Sequence, residues 1–130
     1  MTAVSYVDAS ALVKLVIAEA ETGGMERWFA ESERLLTSVI GIIETRRAVG
    51  RRRHDSARLA YVIRSVEVIA LGERIAEQAA AIAPSSVRTL DAIHLATALS
   101  LDQDLDAFLT YDDRMAEAAR ALGIPVVVPA

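Results

Sequence analysis

The sequence predicts an α/β protein: a single domain of three layers, α/β/α, built on a mostly parallel central sheet. Three observations carry this prediction. Short apolar runs alternate with amphipathic stretches along the whole chain, and parallel strands need such crossover helices between them. At 130 residues the chain can bury one hydrophobic core and is too short for two comfortable ones. No internal repeat, low-complexity segment or linker divides it.

The elements follow in order. Val4 to Val7 is an apolar strand ending at Asp8, and Ser10 opens a helical pattern of Leu12, Val13, Val16 and Ile17. Thr22-Gly23-Gly24 is expected to break the chain before a second helix, Met25 to Ser32, with Trp28 and Phe29 on its apolar side. Leu35 to Val39 is a second strand, followed by a helix from about Ile40 to Val49. Arg53 to Ser65 forms another helix with Leu59, Val62 and Ile63 inward, and Val66 to Leu71 is rich in β-formers. Glu73 to Ala83 is an alanine-rich helix stopped by Pro84, and Ser85 and Ser86 make a loop. Thr89 is a good N-cap for a helix from Leu90 to Leu101. Ala107 to Thr110 is a strand, Asp112 to Leu122 a helix ended by Gly123, and Pro125 to Val128 the last strand.

Composition narrows the function. Hydrophobic residues make up 53% of the chain and mean hydropathy is +0.31, high for a small domain, so part of the apolar surface is expected to be covered by a partner. With no cysteine there is neither a disulfide scaffold nor a thiolate metal site, and any metal must be held by oxygen or imidazole. Lys14, Glu19 and later charges interrupt every run long enough to span a bilayer, and the N-terminus lacks a signal-peptide pattern, so a cytoplasmic protein without membrane association is expected. The net charge is −4, yet positive charge is concentrated in Arg46, Arg47, Arg51, Arg52, Arg53 and Arg58. That run is either a solvated helical face or an edge that grips phosphates.

Parallel sheets bind ligands at the carboxyl ends of their strands. Asp8 and Asp112 lie just past two predicted strand ends, and Glu44 follows a third by about a turn of helix. Each acid also has an ordinary structural reading. Asp8 and Ser10 could cap a helix, and one of Asp112 and Asp113 could cap while the other serves the site. Glu44 could pair with Arg47 or Arg51, but it interrupts an apolar stretch between the small residues Gly41 and Ala48, which leave room for something to approach. Asp91 could be a first-turn charge on a strongly apolar helix. His94, three residues on and on roughly the same face, could reach the site or an RNA phosphate, but a packed or capping role is the expectation. His54 is expected to be exposed among arginines, and Trp28, Tyr61 and Tyr111 to pack in the core, although Tyr111 is close enough to Asp112 to contact substrate.

Four segments, VSYVDASALVKL, TSVIGIIETRRAVG, VRTLDAIHLATAL and FLTYDDRMAEAARALGIPVV, together resemble the PIN-domain ribonucleases, and most closely the small VapC toxins of bacterial toxin–antitoxin pairs. The resemblance runs from about Val4 to Val128. It implies a PIN fold in which Asp8, Glu44, Asp91 and Asp112 bind Mg²⁺ or Mn²⁺ and carry catalysis, with Ser10 and Asp113 in support. It implies metal-dependent endonucleolytic hydrolysis of RNA, typically tRNA or rRNA, that inhibits translation and growth. It also implies a homodimer and a cognate antitoxin that wraps the toxin and obstructs its acidic pocket. Arg46, Arg47, Arg51, Arg52 and Arg53 are the candidate RNA contacts.

Other enzymes fit less well. An aspartate-nucleophile phosphatase would want a second acid where Ser10 stands, and a receiver domain an acidic pair after the first strand. A serine-hydrolase elbow, a P-loop and a dinucleotide fingerprint are all absent. A PIN-domain RNA-processing nuclease outside toxin–antitoxin systems, or a catalytically silent RNA-binding subunit, remains the alternative.

Overall fold

A computed structural model describes residues 3–130. In chain order the elements are β1 (Val4–Val7), α1 (Ala9–Val16), α2 (Thr22–Glu31), β2 (Arg34–Ser38), α3 (Val39–Gly50) and α4 (Ser56–Arg64). There follow β3 (Glu67–Ile69), α5 (Glu73–Ala80), α6 (Thr89–Leu99), a 3₁₀ turn at Asp102–Asp104, β4 (Ala107–Leu109), α7 (Asp113–Ala121) and β5 (Val126–Val127). The five strands form one sheet in the order β3-β2-β1-β4-β5, and every neighbouring pair is parallel.

The alternation of side chains along each strand produces the three layers. Val7 and Leu109 point to one face of the sheet, where they pack with Leu12, Leu15, Met25 and Val62 of the helices α1, α2 and α4. Tyr6 and Phe108, one residue earlier in each strand, point to the other face and pack with Leu95 of α6 and Met115 and Ala119 of α7. Helix α6 is buried from Ala92 to Ala98, which explains its nearly uniform apolar sequence.

The chain winds outward from β1 through β2 to β3, then returns to β4 on the other side and continues to β5. The strand order therefore reverses between β1 and β4, and the crevice beyond their carboxyl ends is where an open α/β sheet binds ligands.

Several boundaries differ from those expected. Thr22-Gly23-Gly24 opens α2 instead of breaking the chain. Gly24 is needed for close approach, because a Cβ there would lie 2.1 Å from the carbonyl oxygen of Ala130. Helix α4 starts at Ser56, not Arg53, since Asp55 caps it by accepting from the amides of Ala57 and Arg58. Helix α5 ends at Ala80, ahead of Pro84, whose ring disfavours helical backbone in the residue before it. Thr89 lies within α6, whose N-cap position is held by Arg88 without a side-chain capping bond. Gly123 does end α7, with φ of 79°.

Candidate active site

Asp8 follows β1 directly and is both a cap and a buried acid. Its Oδ1 accepts from the amide of Ala11 at 3.1 Å and from the Ser10 hydroxyl at 2.6 Å, and its Oδ2 accepts from the Thr110 hydroxyl. Only 3% of the residue is exposed. Burial pushes its carboxyl above the ordinary carboxylate range, while the bonds from Ser10 and Thr110 pull the other way. Asp8 is thus an N-cap, as its ordinary reading expects, and the Ala11 amide helps to hold its buried carboxylate at the end of β1.

Ser10 is a tie between loops and not a cap. Its Oγ donates to Asp8 and accepts from the amide of Tyr111 at 2.8 Å. Thr110 makes the matching link: its hydroxyl donates to Asp8 and accepts from the amide of Asp112 at 3.1 Å. Thr110 was legible in the sequence only as a strand end. Its one signal is a buried hydroxyl placed at the carboxyl end of β4, two residues before an acid.

Asp112 caps α7, and both capping amides, those of Arg114 at 2.9 Å and Met115 at 3.2 Å, bond the same oxygen, Oδ1. Asp113 is an exposed first-turn residue. Asp91, in the first turn of α6, has its carboxyl pushed up by partial burial and then by the charges of Asp112 and Glu44. Of the two adjacent acids, Asp112 is therefore the one whose charge is felt at Asp91. Asp8 and Glu44 in turn both act on the Tyr6 hydroxyl between them. The four acids, distant in sequence, are thus linked electrostatically about the carboxyl ends of β1 and β4.

Glu44 comes from α3, where its Oε1 lies 2.6 Å from Nε2 of His94. The expectation that Gly41 leaves room for an incoming group is corrected: a Cβ there would lie 2.3 Å from Oγ1 of Thr37 and 3.3 Å from Cε1 of His94. The missing side chain is filled by the protein itself. His94 is buried, as expected of a packed residue, but it also bonds the Tyr6 hydroxyl through Nδ1 at 2.6 Å, a partnership the sequence did not disclose. The Tyr111 hydroxyl donates to the carbonyl of Pro129, which makes that residue structural.

The arginine run divides. Arg47 and Arg51, at helical spacing from Glu44, line a cleft of about 430 Å³ together with Ser10, Ile40, Ile43 and Leu90. Arg46, Arg52 and Arg53 are exposed and do not line it, and Arg52 lies 3.8 Å from Glu19. Arg58 donates to the carbonyl of Leu15 at 2.8 Å, pinning α4 to α1. Two arginines that the sequence reading passed over, Arg88 and Arg114, line a smaller cleft of about 150 Å³ with Asp91. Glu44 lines the first of these arginine-bearing clefts and Asp91 the second.

Among the described residues, no three of His, Asp or Glu stand as a ready-made group able to hold a metal ion. The donor set nevertheless fits a hard divalent cation. It consists of carboxylate oxygens without sulfur, and the repulsion felt at Asp91 is what a cation would relieve. Mg²⁺ commonly takes one or two carboxylates and completes its shell with water and substrate phosphate, so a closed protein cage is not required. Among the described residues no helix is long and apolar enough to cross a membrane.

This fold and crevice define a class: a PIN-domain model matches residues 5–121. Among curated proteins, ribonuclease VapC46 of Mycobacterium tuberculosis is 37% identical over 126 residues, spanning 95% of this chain and 96% of its own. Ribonuclease VapC47 of the same species is 35% identical over 130 residues, with the same coverage. The chain belongs to the PIN-domain family, as a VapC-like member. Among solved structures, the sarcin–ricin-loop-cleaving toxin VapC20 of M. tuberculosis superposes with a TM-score of 0.74 at 24% identity, covering 96% of this chain and 99% of that one. The VapBC2 complex of Rickettsia felis, bound to a DNA fragment of its promoter, contributes a chain with a TM-score of 0.72 at 10% identity, covering 98% and 99%. At these identities the two superpositions speak to the fold alone.

Proposed function

We propose that this protein is a Mg²⁺- or Mn²⁺-dependent endoribonuclease and the toxin of a toxin–antitoxin pair. The observation that carries the proposal is the electrostatic coupling among Asp8, Glu44, Asp91 and Asp112 near the point where the strand order reverses, with like-charge repulsion felt at Asp91. The ribonuclease names of the curated relatives support RNA as the substrate, with tRNA or rRNA as its proposed kind.

A bound divalent cation would supply an activated water and screen the charge that builds on the phosphate oxygens. The protein's own groups do the rest. Asp8, locked by three hydrogen bonds, offers a rigid carboxylate, and Asp91 lies within reach of the charge of Asp112. Glu44 closes the set from α3. Water attacks the phosphorus, the bond to the leaving ribose oxygen breaks, and no covalent intermediate on the protein is needed.

Arg47 and Arg51 on one side and Arg88 and Arg114 on the other are placed to take the phosphates flanking the scissile one. The double replacement Arg47→Ala with Arg51→Ala should raise KM for RNA several-fold with a smaller effect on kcat, and should flatten the salt dependence of binding. Replacing Arg46, Arg52 and Arg53, which lie off the cleft, should do much less. Steady-state kinetics at two salt concentrations compare the two sets, and equal effects would mean that the run acts only through overall charge.

The same cleft is the proposed seat of the antitoxin. Its apolar walls, Ala9, Val13, Ile40, Ile43 and Leu90, suit an amphipathic helix, and Glu44 at its edge suits a basic side chain. Complexes of relatives, VapBC-1 of nontypeable Haemophilus influenzae and FitAB, favour a protein partner of this kind. Expression of the chain alone should arrest growth, and co-expression of the adjacent small reading frame should restore it and yield a stable complex. Light scattering on the purified toxin reads out the proposed homodimer. Harmless expression with no bound neighbour would remove the toxin assignment and leave the nuclease. RNA incubated with and without Mg²⁺ or Mn²⁺, with fragment ends mapped by sequencing, tests the nuclease itself; no cleavage under any condition would favour a silent RNA-binding subunit.

A further inference from the structure

We infer that Tyr6 and His94 form a one-way hydrogen-bond relay that fixes the carboxylate of Glu44, which makes both of them positioning residues for the proposed metal site. The inference rests on reading Glu44 as a metal ligand. It concerns two buried side chains that touch neither the substrate nor the cation.

The relay starts at a group whose role is not negotiable. The backbone amide of Ser38 can only donate, and it donates to the Tyr6 hydroxyl at 3.2 Å. Tyr6 is fully buried on β1 and stacked on Phe108, with ring centroids 5.2 Å apart and planes 11° from parallel, so its hydroxyl has little freedom to move. Burial also keeps the phenol protonated. Its single proton must go to an acceptor, and among its described hydrogen bonds the acceptor is Nδ1 of His94 at 2.6 Å.

That bond determines the histidine. With Nδ1 accepting, the imidazole proton is on Nε2, which lies 2.6 Å from Oε1 of Glu44 and donates to it. The ring cannot turn away easily. It packs edge-on to Tyr6, and Gly41 lies against its Cε1. Each link has one direction: Ser38 amide to Tyr6, Tyr6 to His94, His94 to Glu44. Among the described residues the only hydrogen bond to the Glu44 carboxylate goes to Oε1, which leaves Oε2 for another partner.

A merely structural histidine would satisfy its two nitrogens wherever it could. Here the relay ends on the one acid of the four that comes from the middle of a helix, and, unlike Asp8 and Asp112, this acid has no capping amide to orient it. Asp8 and Asp112 are held by helix caps. Glu44 has only His94. A hydrogen bond to a ligand's second atom is the usual way a protein sets a ligand's orientation, and its loss commonly lowers metal affinity about 10- to 100-fold.

The test uses the RNA-free protein and Mn²⁺ alone. Nitrogen-15 spectra of the histidines in the wild-type chain should show His94 with Nε2 protonated and Nδ1 bare. Calorimetric titration should show Mn²⁺ binding weakened about 10- to 100-fold in Tyr6→Phe and in His94→Leu, and largely recovered in His94→Gln, whose amide can still donate at the Nε2 position. Tyr6→Phe keeps the stacked ring and so is the variant expected to fold; the spectra of the wild type need no variant at all. A proton on Nδ1 in the wild type, alone or with Nε2, overturns the relay. If Glu44→Gln weakens Mn²⁺ binding while Tyr6→Phe and His94→Leu bind as the wild type does, the relay falls and the metal reading stands. If none of the three weakens binding, Glu44 is not a ligand and both fall together.

Discussion

Asp8→Asn and Asp91→Asn are each expected to lose RNA cleavage by about a hundredfold or more while remaining folded. A hundredfold corresponds to about 2.7 kcal/mol of transition-state stabilisation, less than the several kcal/mol attributed to a catalytic metal ion. The neutral amide is a poor ligand for Mg²⁺, so the loss should appear in kcat and in Mn²⁺ affinity together. Asparagine is also a good N-cap, so position 8 keeps the start of α1 intact.

The same variants have a stability signature with a definite sign. Burial raises the carboxyl of Asp8, and burial with the charges of Asp112 and Glu44 raises that of Asp91, above the ordinary value of 3.8. A raised folded-state value means that the native protein holds its proton longer than the unfolded chain does. Stability contributed by the protonated form is complete below the unfolded value and is lost as pH rises through the folded one. Without metal, the wild type should therefore lose stability relative to either variant as pH climbs from about 4 upward, and Mn²⁺ should reverse the difference. Urea unfolding across that range checks it. Full cleavage by either folded variant would sink the metal-site reading.

Gly41→Ala is expected to destabilise the protein by about 1–2 kcal/mol and to reduce cleavage, against what helix propensity alone predicts. Within a helix, alanine is better than glycine by about 0.5–1 kcal/mol. Opposing this, the new methyl would lie 2.3 Å from Oγ1 of Thr37, a buried β-branched residue whose hydroxyl is already bonded to the carbonyl of Val7 at 2.6 Å. Thr37 cannot turn without leaving that carbonyl short of a partner. Overpacking of this kind typically costs about 1–3 kcal/mol, so it outweighs the propensity gain. The displaced neighbours are Thr37 and His94, so Glu44 should lose its support and cleavage should fall with stability. Thermal denaturation settles the sign: a more stable alanine variant would show that the first turn of α3 has room to shift.

Asp8, Asp91 and Asp112 stood out in the sequence because each lies where strand-to-helix alternation places a turn or a helix start, and Glu44 because it interrupts an apolar stretch. Asp8 ends an apolar run and Asp112 precedes a helix with a glycine stop, so local pattern and chemistry pointed the same way. Thr110, Tyr6, Arg88 and Arg114 left no comparable mark. A threonine or tyrosine in a strand is what β-propensity favours anyway, and an arginine in a loop or first turn is ordinary surface. The roles of Tyr6 and Thr110 come from partners 88 and 102 positions away, His94 and Asp8 respectively.

What the sequence by itself determined was the layered α/β architecture, the near-complete set of strands and helices, and the four acids. These depend on periodicity, on caps and on strand ends, all of which are local. What only the tertiary structure decided was the company those acids keep: which of Asp112 and Asp113 acts on Asp91, which arginines of the run line the cleft, and that Gly41 makes room for Thr37 and His94 and not for a ligand. The physical reason is that strand order places β1 beside β4, and with it Asp8 beside Thr110 and Asp112, through contacts that no window of sequence contains.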